Sequence, residues 1–272
     1  MKRINSNELK EIQLDMLKRF DLYCRDNKIT YYLAFGTLIG AIRHKGYIPW
    51  DDDIDIMIPR KDYNKLIKLY NKDRTNSNLK IISHITDKGY YLPFAKLINT
   101  STIVKENVEV NYELGVYLDL FPIDYMTNSL EKARQILKKS YQYCMKLQFK
   151  TITWSKKRNI VKNIVLMIGK MFLSVQSIDS ILNRFDKYCQ QNIAYDNSKY
   201  IGILPGLESS SDNNIYIKEW FNETVEVEFE GGHYPAPSGY NDLLRSIYGD
   251  YMQLPPKDKQ VTHHSFEAWY KS

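Results

Sequence analysis

In the segment IPWDDDIDIMIP, residues 48–59, four carboxylates occupy five positions: Asp51, Asp52, Asp53 and Asp55. Ile54, Ile56, Met57 and Ile58 run through and beyond them. Like charges at this spacing repel, and acids are poor strand formers, so a bound cation is the natural compensation. In a strand, side chains at i and i+2 share a face, which points Asp53 and Asp55 one way and Ile54, Ile56 and Ile58 into a core. Two carboxylates about 7 Å apart along a strand can hold one or two hard cations, Mg²⁺ or Mn²⁺. Asp51 has the same parity but lies near the turn, and its role stays open. The competing reading is an acidic turn followed by a plain core strand.

A second acid has a similar setting. In GVYLDLFPID, Asp119 stands between Leu118 and Leu120, a costly place unless the acid is paired or metal-bound. It completes a three-carboxylate site if its strand lies beside the 53–58 strand. Asp124, past Pro122, reads as a loop or cap residue. In FGTLIGAIRHKG a strand turns at Gly36 and a short helix starts near Thr37, so free N–H groups there make an anion site and the Thr37 hydroxyl adds a donor. Arg43 and His44 follow at the far end, near the acidic strand. A Gly-Thr turn alone says little. With Asp-x-Asp and a further apolar-flanked acid, it describes metal-assisted phosphoryl transfer, in which one carboxylate receives the nucleophile's proton.

Other residues carry weaker signals. Lys96, in an apolar strand, is either a snorkelling core residue or something more. Trp50 either packs its turn or stacks on a base. His263 and His264 are adjacent and cannot both easily face one metal, and His233 follows two glycines in a loop. The tyrosines are spread too evenly to mark a glycan groove.

These residues need a frame. The chain has 272 residues, 43% hydrophobic and 26% charged, as in a soluble globular protein. Its pattern predicts a helix over 6–27, strands over 31–35 and 53–58, and a helix over 60–72. Further strands are predicted near 79–83, 90–98 and 116–121, then helices near 129–150, 157–176 and 178–191, a strand over 224–230 and a helix over 238–248. That order is α+β, with a mixed-sheet core, flanking helices and a helical insert. We divide it as a core over 1–128, a basic helical insert over 129–195, and a region over 196–272 that packs back on the core.

The amino terminus has no apolar signal region, and Cys24, Cys144 and Cys189 are scattered, which favours free thiols in a reducing compartment. The apolar run over 164–175 is broken by Lys170 and is too short to span a bilayer. A cytoplasmic protein is expected. Net charge is +6, yet 132–178 holds eleven Lys and Arg and no acid, leaving −5 for the rest. That stretch, with Lys156, Lys157, Arg158 and Lys162 ahead of Ile164, Val165, Met167, Ile168, Met171 and Phe172, is either a solvated face or a surface for anionic lipid or a phosphate-rich polymer.

The Gly-Thr, Asp-x-Asp and third-acid set resembles the nucleotidyltransferase fold. More narrowly, YYLAFGTLIGAIRHKGYIPWDDDIDIMIPRKDY looks like the signature of the LicD family, which includes bacterial phosphocholine transferases and is related to fukutin-type transferases. The resemblance continues through FAKLINTST, VYLDLFPID and YPAPSGYNDLLRSIYGDYMQLPP. It implies Mg²⁺-dependent transfer of a phosphorylated alcohol from a CDP-linked donor to a cell-surface glycan or a teichoic-acid or lipopolysaccharide precursor, with no nucleic-acid partner. It also implies that Asp53, Asp55 and Asp119 bind metal, that Gly36 and Thr37 hold donor phosphate, and that Arg43, His44 and Lys96 contact phosphate. The alternatives are a nucleotidylyltransferase that uses an NTP and a non-catalytic nucleotide- or glycan-binding module.

Overall fold

The structure is a computed structural model that describes residues 1–73, 78–105, 112–151, 159–173, 175–191, 198–207, 209–262 and 267–271. His263 and His264, and the cations Lys156, Lys157 and Arg158, lie outside the described residues. The chain opens on α1 (Ser6–Asp26). The Asn5 side chain accepts from the Asn7 and Glu8 N–H groups, and Glu8 accepts from the Asn5 N–H, each at 3.0 Å. This reciprocal cap fixes the register at which Leu9, Met16, Leu17, Phe20 and Tyr23 face inward. Next come β1 (Tyr32–Leu33), α2 (Phe35–His44), β2 (Asp55–Pro59) and α3 (Arg60–Leu69).

β3 (Leu79–Ile82), β4 (Ala95–Asn99), β5 (Thr102–Lys105) and β6 (Tyr117–Thr127) complete the first half. Three helices follow: α4 (Leu130–Thr151), α5 (Ile160–Leu173) and α6 (Ile178–Gln191). The chain returns through β7 (Tyr200–Gly202), β8 (Tyr216–Ile217), β9 (Thr224–Phe229), β10 (Gly232–Pro237), α7 (Tyr240–Tyr248) and β11 (Glu267–Tyr270). The main sheet runs β1-β2-β6-β4-β3, with β7 on the far half of β6 and β8 beyond β7. β2 and β6 are parallel, whereas the other pairs are antiparallel, so the sheet is mixed and the class is α+β. Two small antiparallel pairs, β9–β10 and β5–β11, bring the end of the chain back to the core.

Several expected bounds change. The strand expected over 31–35 is only Tyr32–Leu33, and the one expected over 53–58 starts at Asp55, which leaves Asp53 in the turn just ahead of it. The strand expected over 90–98 starts only at Ala95, because Gly89, at φ +83°, and Pro93 keep the preceding segment in turns, where Tyr90 and Tyr91 are buried. The strand expected to end at Phe121 runs on to Thr127 through Pro122. On one edge of β6 the pairing with β4 ends at Leu120, and the pairing with β7 begins at Asp124. Pro122 falls in the gap between them, where its missing N–H breaks no bond on that side. Asp124 is therefore a strand residue and not a loop or cap residue.

Asp124 is fully buried, and the Arg60 guanidinium donates to both of its oxygens, at 2.6 and 2.9 Å, and to Asp186 at 3.2 Å. Burial nonetheless outweighs Arg60 and leaves the Asp124 carboxyl above its usual range. The three cysteines are buried free thiols. Among the described residues, no helix is long and apolar enough to cross a membrane.

Candidate active site

The parallel pairing of β2 with β6 sets Asp55 directly opposite Asp119. Neighbouring strands are about 4.8 Å apart, so two carboxylates that are 64 residues apart in sequence come to the same end of the same face. Phe121, Ile123 and Tyr125 share that face with Asp119 by parity. Asp53 joins Asp55 and Asp119 on the wall of a cleft of about 450 Å³. Asp53 also belongs to a second group, because carboxylate oxygens of Asp51, Asp52 and Asp53 lie within 4.8 Å of one another. Asp53 thus links the turn acids to the strand acids.

The packing fixes these acids from behind. The Thr37 hydroxyl oxygen accepts from the Asp55 N–H at 2.9 Å, the Ala34 N–H donates to the Asp55 carbonyl at 2.9 Å, and the Asp119 N–H donates to the Ile54 carbonyl at 3.0 Å. The buried Gln13 donates to the Asp52 carbonyl at 3.0 Å, tying α1 to the acidic turn. Lys96, across the antiparallel register from Asp119, donates to its carboxylate at 2.5 Å. Its ammonium also lies 3.3 Å from the Tyr117 ring centroid. The open choice for Lys96 resolves into a buried cation that holds one acid of the site.

Loss of solvent raises the Asp55 carboxyl well above its ordinary range, and Asp53, Asp119 and Asp51 push it further, with Lys96 offsetting part. Four carboxylates gather within this cluster, and a hard-oxygen donor set of that kind is one that divalent Mg²⁺ or Mn²⁺ takes. The acids therefore fit a metal.

Gly36 is in the first turn of α2, which starts at Phe35 rather than near Thr37. Phe35 itself has φ +44°, a strained conformation for a residue with a side chain, and its ring packs edge-on against Phe121 in the cleft. A Cβ on Gly36 would meet an Asp51 carboxylate oxygen at 2.5 Å. The carboxylate can swing away, so Gly36→Ala leaves the melting temperature nearly unchanged. It misplaces an acid, however, and lowers activity roughly ten- to a hundredfold. A titration of activity against Mg²⁺ reads this as a shift to higher concentration, and an unshifted curve contradicts the role of the close approach.

Of the residues expected to contact phosphate or base, Gly36, Thr37 and Lys96 lie behind the lining of the acidic cleft, beside Phe35, Asp55 and Asp119, and Arg43, His44 and Trp50 also stand outside it. Arg43 donates to His44 Nε2 at 2.9 Å and to the carbonyls of Tyr251 and Gln253 at 2.6 and 3.4 Å, which fastens the last turn of α2 to the end of the chain. Burial and the adjacent Arg43 cation lower the His44 pKa. Trp50 lines a smaller cleft with Asp51, Asp52 and residues of the amino terminus. Conversely, the opposite wall of the acidic cleft consists of residues that spacing did not single out, among them Gly206, Ser209, Asn213 and Tyr248. Tyr248 falls in YPAPSGYNDLLRSIYGDYMQLPP, so family likeness was the one signal that pointed there.

Fold and acids together define a nucleotidyltransferase-type enzyme. Residues 28–159 match the model of the LicD/FKTN/FKRP nucleotidyltransferase domain. Over 273 aligned residues, 99% of each chain, the protein is 30% identical to the lipopolysaccharide cholinephosphotransferase LicD of Haemophilus influenzae. A stretch of 63 residues is 41% identical to an uncharacterized protein of Rickettsia typhi, covering 23% of this chain and 20% of that one. A stretch of 36 residues is 56% identical to an uncharacterized protein of Rickettsia prowazekii, covering 13% and 14%. The chain belongs to the LicD family.

Proposed function

We propose that the protein transfers a phosphorylated alcohol, phosphocholine or a close analogue, from a CDP-linked donor to lipopolysaccharide or a lipid-linked glycan precursor on the inner face of the cytoplasmic membrane. The observation that carries this reading is the side-by-side placement of Asp55 and Asp119 on parallel strands. It occurs in a chain similar from end to end to a lipopolysaccharide cholinephosphotransferase.

In this reading Asp53, Asp55 and Asp119 hold Mg²⁺ or Mn²⁺, which when bound neutralises the charge of the donor's phosphates and of the departing CMP. Gly36 and Thr37, in the first turn of α2, take the donor diphosphate on their N–H groups. Lys96 keeps the Asp119 carboxylate in place. The acceptor hydroxyl oxygen forms a bond to the distal phosphorus, the bond from that phosphorus to the bridging oxygen breaks, and CMP leaves. The hydroxyl proton passes to a carboxylate of the set. Phe35 and Phe121 form an apolar wall that limits water at the reacting phosphorus.

Product analysis tests the reading. Incubation with Mg²⁺, an acceptor extract and a panel of CDP-choline, other CDP-alcohols and NTPs should release CMP from a CDP-alcohol. Release of pyrophosphate from an NTP, with no CMP from any CDP-alcohol, would make the protein a nucleotidylyltransferase instead.

A further inference from the structure

Helix α5 is built inside out. Ile160, Ile164, Val165, Met167, Ile168 and Met171 are 47–68% exposed, while Asn163 is buried. At 3.6 residues per turn those six positions fall within an arc of roughly 160°. The opposite arc packs on α4, where a Cβ added to Gly169 would meet the Phe149 ring at 3.2 Å. A surface helix in water turns its apolar stripe to the core and its polar residues out. This one buries a carboxamide and shows solvent a continuous apolar face, the kind of patch that marks a contact surface.

Charge says what covers it. The segment over 132–178, which covers α5 and all of α4 beyond Glu131, carries eleven Lys and Arg and no acid, while the remainder of the chain has a balance of −5. A second copy docked face to face across a twofold axis would set these cations against themselves. An anionic lipid surface attracts them and accepts the apolar face, and α5 at 14 residues is too short to span. α4 also joins this face to the active site. Its Tyr141, Met145 and Gln148 line an apolar cleft of about 650 Å³ that shares Phe121, Gly206 and Leu207 with the acidic cleft.

We infer that α5 lies flat on an anionic membrane surface, with its Ile, Val and Met side chains among the acyl chains and the basic segment at the headgroups. Binding is peripheral and reversible, and it needs no knowledge of which group is transferred. Flotation with phosphatidylglycerol-containing vesicles and with pure phosphatidylcholine vesicles tests it. Wild-type protein should float with the anionic vesicles at low salt and less so at high salt. The triple variant Ile164→Ser, Ile168→Ser, Met171→Ser changes exposed positions only, so its thermal melt should match wild type, and its vesicle partitioning should fall at least about tenfold. Changing Lys156, Lys157 and Arg158 together to Gln removes three of the segment's eleven cations and should weaken the preference for anionic over neutral vesicles, and an unchanged preference counts against the inference. The inference is overturned if wild type ignores anionic vesicles at low salt or if the triple variant binds them as wild type does. It is also overturned if sedimentation shows a dimer that the triple variant converts to monomer, since the face would then belong to a second copy.

Discussion

Asp55→Asn lowers transfer on the order of a thousandfold or more, and the metal-free protein melts no lower than wild type. The two halves of this expectation have one cause. Asp55 is half-buried on the cleft wall among Asp51, Asp53 and Asp119, so its negative charge destabilises the folded chain when no cation is present. Asn keeps the shape, removes the charge, and removes a metal ligand. The sign of the pH effect follows. The Asp55 carboxyl titrates well above an unfolded aspartate, so the folded state retains a proton that the unfolded state has released. The stability this proton confers is complete below the unfolded pKa and is lost as pH rises toward the folded one. In chelator, wild-type melting temperature should therefore decline above the ordinary carboxylate range, and the decline should be shallower in Asp55→Asn. Asp124, raised in the same direction, keeps some slope in both. A variant with wild-type activity, or one with a steeper decline, contradicts the assignment.

Arg60→Ala destabilises the fold by about 3–5 kcal/mol. The reason is the charge it abandons. Asp124 is fully buried in β6, the Arg60 guanidinium donates to both of its carboxylate oxygens, and the same guanidinium reaches Asp186 on α6. The loss of one partner leaves an ionised or freshly protonated carboxyl in a dry site. Replacing both members, Arg60→Met with Asp124→Leu, leaves no such orphan and should recover most of the loss. Urea denaturation of the two variants measures the contrast. A single variant within about 1 kcal/mol of wild type would show that the pair has little structural weight.

The acids were legible in the sequence because i, i+2 spacing among isoleucines leaves few folded solutions. What brings Asp119 to Asp55 was not, since parallel neighbours are joined by long connections whose pairing no local pattern encodes. The same limit hid the Lys96–Asp119 pair, which depends on the register of β4 against β6. Asp124 was misread because a proline normally ends a strand, and only the gap between β4 and β7 lets Pro122 stay in one. Arg43 and His44 follow Thr37 by six and seven residues, so the helix rise of 1.5 Å per residue carries them about 10 Å down α2 and away from its first turn. The opposite wall of the cleft comes from irregular chain at Gly206 and Ser209, a single 3-10 turn holding Asn213, and the end of α7 at Tyr248, and no local pattern encodes their approach to the acids. The apolar stripe of α5 was visible, but its outward direction was not, because amphipathicity does not say which side faces the protein.

The most direct test of the central claim uses CDP-choline radiolabelled at the distal phosphorus, with the purified protein and a lipopolysaccharide or lipid-linked glycan acceptor. The account predicts that label and choline move together to the glycan, that unlabelled CMP is released in equal amount, and that Asp119→Asn or excess chelator abolishes the transfer. Undiminished transfer in excess chelator, or no label on the glycan while an NTP yields pyrophosphate, would contradict it.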